Sequence, residues 1–391
     1  MSFDFGSLTR ARSPSVSPRR RATLFLEDGT RFDGVGFGAT TTVVGEVVFT
    51  TGMAGYPESL TDPSFRGQIL TFTYPLLGNY GVPSTSARDE WALPKYLESN
   101  ELQIRGMVVR GLTAPSHWQS HRRLEEWLQD SGIPGIAGVD TRRLTEHIRA
   151  EGVVRGALQV GGPAPSDGEL AERIRRAPGY AEEEYMPHVS VRRPALLGEP
   201  SQPLVAVLDC GVKASILRAL LRRDLSVLRL PYDAPVPERW DGHRVEGLVL
   251  GNGPGDPERL PGTIGEIARV AKSSLPVLGI CLGNQLLALA RGGRTFKLKY
   301  GHRGQNKTVQ FPGGRAIIMS ENHGYAVDPG SLRGTGLVPW ATNPDDGTLE
   351  GLRDRSGRIL ALQGHPEGHP GPQEAGFVFD QFAARVKRRA R

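Results

Sequence analysis

Leu275-Pro-Val-Leu-Gly-Ile-Cys-Leu-Gly-Asn-Gln-Leu-Leu-Ala-Leu-Ala290 decides the fold. A short apolar run, Pro276 to Ile280, reads as a buried parallel strand, and a run of helical period, Leu282 to Ala290, follows at once. Cys281 sits between them in a G-x-C-x-G pattern with Gly279 and Gly283. Those are the mechanics of a nucleophile elbow: a sharp strand-to-helix turn pushes one side chain out above the sheet while small neighbours let the backbone close in. At a helix N-terminus the dipole favours a thiolate, and the N–H that follows can face a developing oxyanion. The alternative, on this stretch alone, is a cysteine acting as a small core hydrophobe.

Outward from the elbow the rhythm is strand, helix, strand. Leu204 to Leu208, Leu225 to Leu230 and Gly247 to Leu250 read as strands; Ala214 to Arg223 and Gly265 to Lys272 read as helices. That alternation predicts a mostly parallel sheet covered on both faces, with ligands bound beyond the carboxyl ends of its strands. The loop Gly251-Asn-Gly-Pro-Gly-Asp-Pro257 and Cys281 both fall at such ends. Upstream, Ala22-Thr-Leu-Phe-Leu-Glu-Asp-Gly29 and Val43-Val-Gly-Glu-Val-Val-Phe49 read as extended runs, with Asp28-Gly29 a turn. Helices are expected around His121 to Leu128 and over Thr141 to Ala150, giving an α/β unit with considerable irregular loop. The Gly/Pro-rich stretches opening and closing 161–202 mark a connector, with one helix near Glu169 to Arg175. The expected organisation is a basic disordered extension at 1–21, an N-terminal unit at 22–160, the connector, a second unit at 203–384 and a basic tail at 385–391.

The net charge of +6 is concentrated at the ends: +4 in residues 1–21 and +5 in 385–391, which leaves the body slightly acidic. A nucleic-acid binder would carry basic residues across one folded face, so no nucleic-acid partner is expected. No apolar run approaches the ~18 residues of a membrane helix, so no membrane partner is expected either. Residues 1–21 lack the apolar core of a signal peptide. Two cysteines, Cys210 and Cys281, make no disulfide framework and fit a reducing, cytoplasmic setting.

A reactive cysteine needs a base and something to orient that base. Leu360-Ala-Leu-Gln-Gly-His-Pro-Glu367 offers both, since His365 and Glu367 lie two apart on a stretch that Pro366 stiffens. Cys281 is then the nucleophile, His365 the base and later the acid, and Glu367 the carboxylate that fixes the imidazole tautomer. Cys210, at the end of the first strand of the second unit, reads as packing. His365 and His369, four apart, would suit zinc on a helix, but Pro366, Gly368 and Pro370 oppose a helix there, and no metal ligands are assigned. The 251–257 loop has neither P-loop nor dinucleotide spacing, so no ATP site is read anywhere in the chain. Such a loop can instead present N–H donors to a carbonyl oxygen, or be a mere turn. Ser320-Glu-Asn-His-Gly-Tyr325 reads as a polar loop, either reading a small polar substrate or simply lying at the surface.

Gly251–Pro257, Gly279-Ile-Cys-Leu-Gly-Asn-Gln285, Glu321-Asn-His-Gly-Tyr325 and Gln363-Gly-His-Pro-Glu367, in that order, resemble the class I (triad) glutamine amidotransferases. Gly45-Glu-Val-Val-Phe-Thr-Thr-Gly-Met-Ala-Gly-Tyr-Pro-Glu-Ser-Leu-Thr-Asp-Pro63 is similar to the signature of the small subunit of carbamoyl-phosphate synthetase, as are Thr73-Tyr-Pro-Leu-Leu-Gly-Asn-Tyr-Gly81 and Val139-Asp-Thr-Arg-Arg-Leu-Thr145. The resemblance covers roughly residues 22 to 384. It implies an α/β N-terminal small-subunit domain, which would mainly dock a large subunit, followed by a class I amidotransferase domain with a mostly parallel sheet flanked by helices. It implies hydrolysis of L-glutamine through a glutamyl thioester, with ammonia passing to the large subunit, which makes carbamoyl phosphate from bicarbonate and ATP. ATP and magnesium then belong to that subunit, and no cofactor is expected in this chain.

By the same resemblance the N–H groups of Gly253 and Leu282 form the oxyanion hole. Gly52, Gly253, Gly255, Leu282, Gln285, Asn322, Gly324 and Tyr325 hold glutamine. Two positions depart from the family: Asn284 stands where histidine is usual, and Gly52 where serine is frequent. Asn284 cannot titrate, which removes it as an acid or base, and Gly52 leaves only backbone at its edge of the pocket. Activity is expected to persist with altered affinity. A stand-alone amidohydrolase is disfavoured by the 45–63 motif, and a non-catalytic regulatory partner by the presence of Cys281, His365 and Glu367.

Overall fold

The computed structural model describes residues 20–390. The expected disordered extension therefore lies outside the described residues, except that Arg20 and Arg21 begin the first strand.

Asp28-Gly29 does turn the chain. Thr30 N–H bonds the Asp28 carboxylate at 2.8 Å, and Gly29 takes a φ of +91° between strands β1 (Arg20–Leu26) and β2 (Arg31–Gly38). With β3 (Thr42–Thr50), β4 (Gln68–Phe72), β5 (Gly106–Val109), β6 (Pro134–Ala137) and β7 (Val154–Val160) these close into a barrel in the order β1-β2-β6-β5-β4-β3-β7. Strands β3 to β6 run parallel to their sequential neighbours, and the remaining pairs are antiparallel. Closure removes free strand edges, and Leu24, Leu26, Val47, Ile69, Val108 and Leu158 fill one buried cluster. The two expected helices span Leu124–Asp130 and Thr141–Glu151; the second is capped by Asp140, which accepts from Arg143 N–H at 3.0 Å. The irregular loop expected in this half runs between β4 and β5. Closure itself leaves no local trace in the sequence, because it depends on pairing between distant strands.

Between the sheets the connector holds a helix, Asp167–Arg176, opened by a Ser166/Glu169 capping box. It also contributes β8 (Ala195–Leu197) to the edge of the second sheet.

That sheet comprises β8, β9 (Leu204–Asp209), β10 (Ser226–Pro231), β12 (His243–Leu250), β13 (Val277–Ile280), β14 (Thr295–Gln310), β15 (Ala316–Val327), β16 (Leu337–Thr342), β17 (Leu349–Asp354) and β18 (Ile359–Leu362), with short β11 (Arg239–Trp240) paired to β12. The order is β8-β10-β9-β12-β13-β18-β17-β16-β14-β15. Its centre, β10-β9-β12-β13-β18, is parallel, and both flanks are antiparallel. Both faces are buried, as a parallel centre requires. Val205, Val207, Val249 and Leu278 pack on one face beneath helices Ala214–Leu221 and Phe377–Ala390; Ala206, Leu208, Leu248 and Val277 pack on the other beneath Leu282–Ala290 and Pro261–Ala271.

Two expectations are corrected. Ser320–Tyr325 is no loop but part of the buried strand β15, whose polar residues face protein rather than water. The basic stretch from Arg385 is no free tail: through Ala390 it continues the last helix, whose Val386 is buried and whose Lys387 pairs with Asp224 at 2.9 Å. The apolar residues of that helix are spaced by its own turns, and the basic residues occupy its outer side. Among the described residues no helix is long and apolar enough to cross a membrane.

Candidate active site

Cys281 occupies the step from β13 to helix Leu282–Ala290 with φ +55° and ψ −106°, a conformation L-residues rarely adopt. The flanking glycines are demanded by packing. A Cβ on Gly283 would lie 2.2 Å from the Leu250 carbonyl oxygen, and one on Gly279 would lie 2.8 Å from that of Gly283. Cys281 N–H donates to Leu362 O at 2.8 Å, which ties the elbow to the end of β18. The chain leaving β18 carries His365, so the two residues meet at the carboxyl ends of adjacent parallel strands.

His365 Nδ1 lies 2.7 Å from Glu367 Oε1, which leaves Nε2 as its free ring nitrogen, buried with no hydrogen-bond partner of its own. Burial pushes the imidazole pKa down, but the Glu367 carboxylate outweighs it, with the Cys281 thiol adding to the net rise. Burial works the other way on Glu367, yet Lys213 and His365 hold its carboxyl well below the usual range. Lys213 Nζ reaches the same Oε1 at 2.7 Å, and its side chain is only 3% exposed. Burial disfavours its charge, and the carboxylates of Glu367, Glu98 and Asp62 raise its pKa regardless. The Cys281 sulfur has Asn322 O at 3.6 Å and Gln363 Nε2 at 3.9 Å.

Gly253, Gly255, Cys281, Gln285, Asn322, Gly324 and Tyr325 line one cavity. Gly253 admits no side chain, since a Cβ would lie 2.0 Å from Cys210 O and 2.9 Å from Leu282 Cδ2. The glycine backbone and the first turn of the elbow helix are thereby brought together, and first-turn N–H groups have no partner within their own helix. Gln285 donates from Nε2 to Tyr325 O at 2.8 Å and to Gln363 Oε1 at 3.2 Å. Leu282 is not among the residues that line this cavity. Gly52 is not among the lining residues; the space its side chain would take is met by Gln305 Nε2 at 3.0 Å. Asn284 is fully buried and donates to Gln363 Oε1 at 3.2 Å. Cys210 packs in the core, and burial raises its pKa.

Sequence reasoning missed Lys213, and it missed what the barrel contributes. Asp62 accepts from Asn322 Nδ2 at 3.0 Å and from Asn252 Nδ2 at 3.3 Å, while Ser64 Oγ accepts from Asn252 at 2.9 Å. Glu46 and Arg303 line the cavity as well, and Tyr180 OH accepts from Gly255 N–H at 3.1 Å. Asp62 was within reach of sequence reading, because it sits in the Thr61-Asp62-Pro63 end of the N-terminal motif. Lys213, four residues past a buried strand, had no neighbour to suggest a buried cation.

Residues 24–158 match the family "Carbamoyl-phosphate synthase small chain, CPSase domain", and residues 206–384 match "Glutamine amidotransferase class-I". The chain is 48% identical to the carbamoyl phosphate synthase small chain of Methanopyrus kandleri, over 93% of this chain and 98% of that one. It is 44% identical to that of Pyrococcus furiosus, over 93% and 97%. Against the arginine-specific small chain of Emericella nidulans identity is 43%, over 97% and 83%. With relatives this similar spanning nearly the whole chain, and an elbow cysteine beside a buried imidazole in the part that matches the amidotransferases, the chain belongs to the carbamoyl-phosphate synthase small-chain family, as a class I glutamine amidotransferase subunit.

Proposed function

We propose that Cys281, His365 and Glu367 form the triad that releases ammonia from L-glutamine. Cys281, as the thiolate whose proton has passed to His365 Nε2, attacks the carbon of the side-chain amide. The oxygen, now negative, faces the N–H groups of Gly253 and Leu282, where preorganised donors are worth ~2.7–4 kcal/mol in comparable acyl transfers. His365 returns the proton to the amide nitrogen, the carbon–nitrogen bond breaks, and ammonia leaves a glutamyl thioester. Water, deprotonated by His365, then splits the thioester into glutamate and free Cys281. Glu367 and Lys213 act on His365 alone, holding its tautomer and setting its basicity. Gly255, Gln285, Asn322, Gly324 and Tyr325 surround the amino-acid end of the substrate.

The ammonia passes to a large synthetase subunit that supplies ATP, magnesium and bicarbonate chemistry and makes carbamoyl phosphate. The observation that carries this reading is the imidazole itself: Nδ1 is committed to Glu367 at 2.7 Å, the buried Nε2 has no other partner, and the Cys281 thiol is among the groups that raise its pKa. The test is an assay of Cys281→Ala in complex with a large subunit. Glutamine-dependent carbamoyl phosphate synthesis should vanish while ammonia-dependent synthesis survives. Retained glutamine-dependent synthesis would refute the nucleophile.

A further inference from the structure

On the antiparallel flank of the second sheet, four ligand-bearing side chains converge beside the Cys281 cavity, which His323 also lines. His302 on β14 stands opposite His323 on β15, Glu321 precedes His323 by two residues on the same face, and Glu350 comes from β17. One ligand atom from each lies within 4.8 Å of all the others, and all four residues are buried.

The hydrogen bonds around the cluster decide which atoms face inward. His323 Nδ1 lies 2.9 Å from Tyr325 O. A carbonyl can only accept, so that nitrogen carries the proton and Nε2 presents a lone pair. His302 Nε2 lies 2.8 Å from the Asp346 carboxylate, which likewise turns Nδ1 inward. Those two nitrogens, both oxygens of Glu321 and Oε2 of Glu350 are buried without a hydrogen-bond partner. Glu321 Oε2 is 3.2 Å from His302 Nδ1 and 3.6 Å from His323 Nε2, and Glu350 Oε1 is 3.5 Å from His302 Nδ1. Lone pairs and carboxylates turned on one another in a dry interior are costly unless something positive sits among them.

We propose that His302, Glu321, His323 and Glu350 bind one zinc-class divalent cation. An ion ~2.0–2.2 Å from four N/O ligands in a tetrahedron sets those ligands ~3.3–3.6 Å apart, close to the 3.2, 3.5 and 3.6 Å of the three near pairs. Two carboxylates and two neutral imidazoles with Zn2+ give a cluster of zero net charge. Imidazole donors select against magnesium and calcium, and four protein ligands with no open position make the site structural rather than catalytic. The outer contacts are those of a metal centre: a carbonyl and a carboxylate orient the two imidazoles, and Thr348 Oγ1 donates to Glu350 Oε1 at 3.2 Å. The ion would fasten β14, β15 and β17 together next to the Cys281 cavity, which Asn322, His323 and Tyr325 line. Four ligands at 302, 321, 323 and 350 form no motif, which is why the sequence assigned no metal.

The test uses the full chain, purified without chelator, with metal content measured by mass spectrometry. One zinc per chain is expected. After removal with a strong chelator, the protein should take up one equivalent of Zn2+ with a rise in its unfolding midpoint. Co2+ should give the visible bands of a tetrahedral site with no thiolate charge transfer. Glu321→Gln, which keeps the side-chain shape, should weaken binding by about tenfold or more. Cys281→Ala should leave metal content unchanged. Wild-type protein that contains no zinc, takes none up and shows no shift in midpoint would overturn the site, leaving protonated imidazoles paired with the carboxylates. Loss of zinc in Cys281→Ala would overturn it too, by placing the metal on the thiol.

Discussion

Lys213 Nζ lies 2.7 Å from Glu367 Oε1, the oxygen that also meets His365 Nδ1 at 2.7 Å. One buried carboxylate thus serves two cations drawn from segments more than 150 residues apart in the sequence. The ammonium makes the buried carboxylate affordable, and at the same time it opposes positive charge on the imidazole. The basicity of His365 is therefore a balance between Glu367 and Lys213.

Removing either side of that balance has distinct consequences. Glu367→Gln keeps the volume but loses the charge, and kcat for glutamine should fall on the order of 10²–10⁴-fold with little change in KM. Lys213→Met should act first on stability, because stripping one partner from a buried pair costs about 3–5 kcal/mol. Steady-state kinetics and urea denaturation separate the two. A Lys213→Met protein as stable as the wild type would show that the ammonium does not compensate the buried carboxylate.

The same pair fixes a pH dependence of stability. Glu367 is held below its usual 4.5, burial being outweighed by Lys213 and His365, so its contribution is complete above about pH 4.5 and is lost as pH falls below that. His365 is raised from 6.5 to about 10, Glu367 overcoming burial, so its contribution is complete below about pH 6.5 and is lost as pH rises toward 10. The stability difference between wild type and Glu367→Gln should therefore peak between these limits and shrink on both sides. Urea denaturation across that range reads it directly, and a difference that stayed flat would contradict the coupling.

Strain at the elbow makes a third expectation. Cys281 holds a φ of +55° that glycine adopts without penalty and alanine does not. Cys281→Gly should be more stable than Cys281→Ala by about 1–2 kcal/mol, although both lack the thiol. Equal stabilities would mean that the turn stores no strain.

How much of this was legible in the sequence follows from the range of the forces involved. The elbow, its glycines, and the strand-helix rhythm around Cys281 are local, and their periodicity and turn chemistry could be read along the chain. His365 and Glu367 sit two apart and could be paired on spacing. Lys213 could not, since only tertiary packing brings it to Glu367. Barrel closure, the long hairpin β14–β15 and the burial of Glu321 and His323 were hidden for a related reason. Strand β14 mixes lysines and glycines with few apolar residues, and Glu321-Asn-His reads as a solvated loop unless its cross-strand partners are known. The basic end of the chain misled in the same way: charge marked it as a tail, while Val378, Phe379, Phe382 and Val386 dock it as a helix.

The most direct measurement is to quench the protein with acid during glutamine turnover and map the adduct by peptide mass spectrometry. One glutamyl group is expected on the peptide carrying Cys281, and none in Cys281→Ala. Glutamine hydrolysis with the adduct on another residue, or continuing in Cys281→Ala, would contradict it.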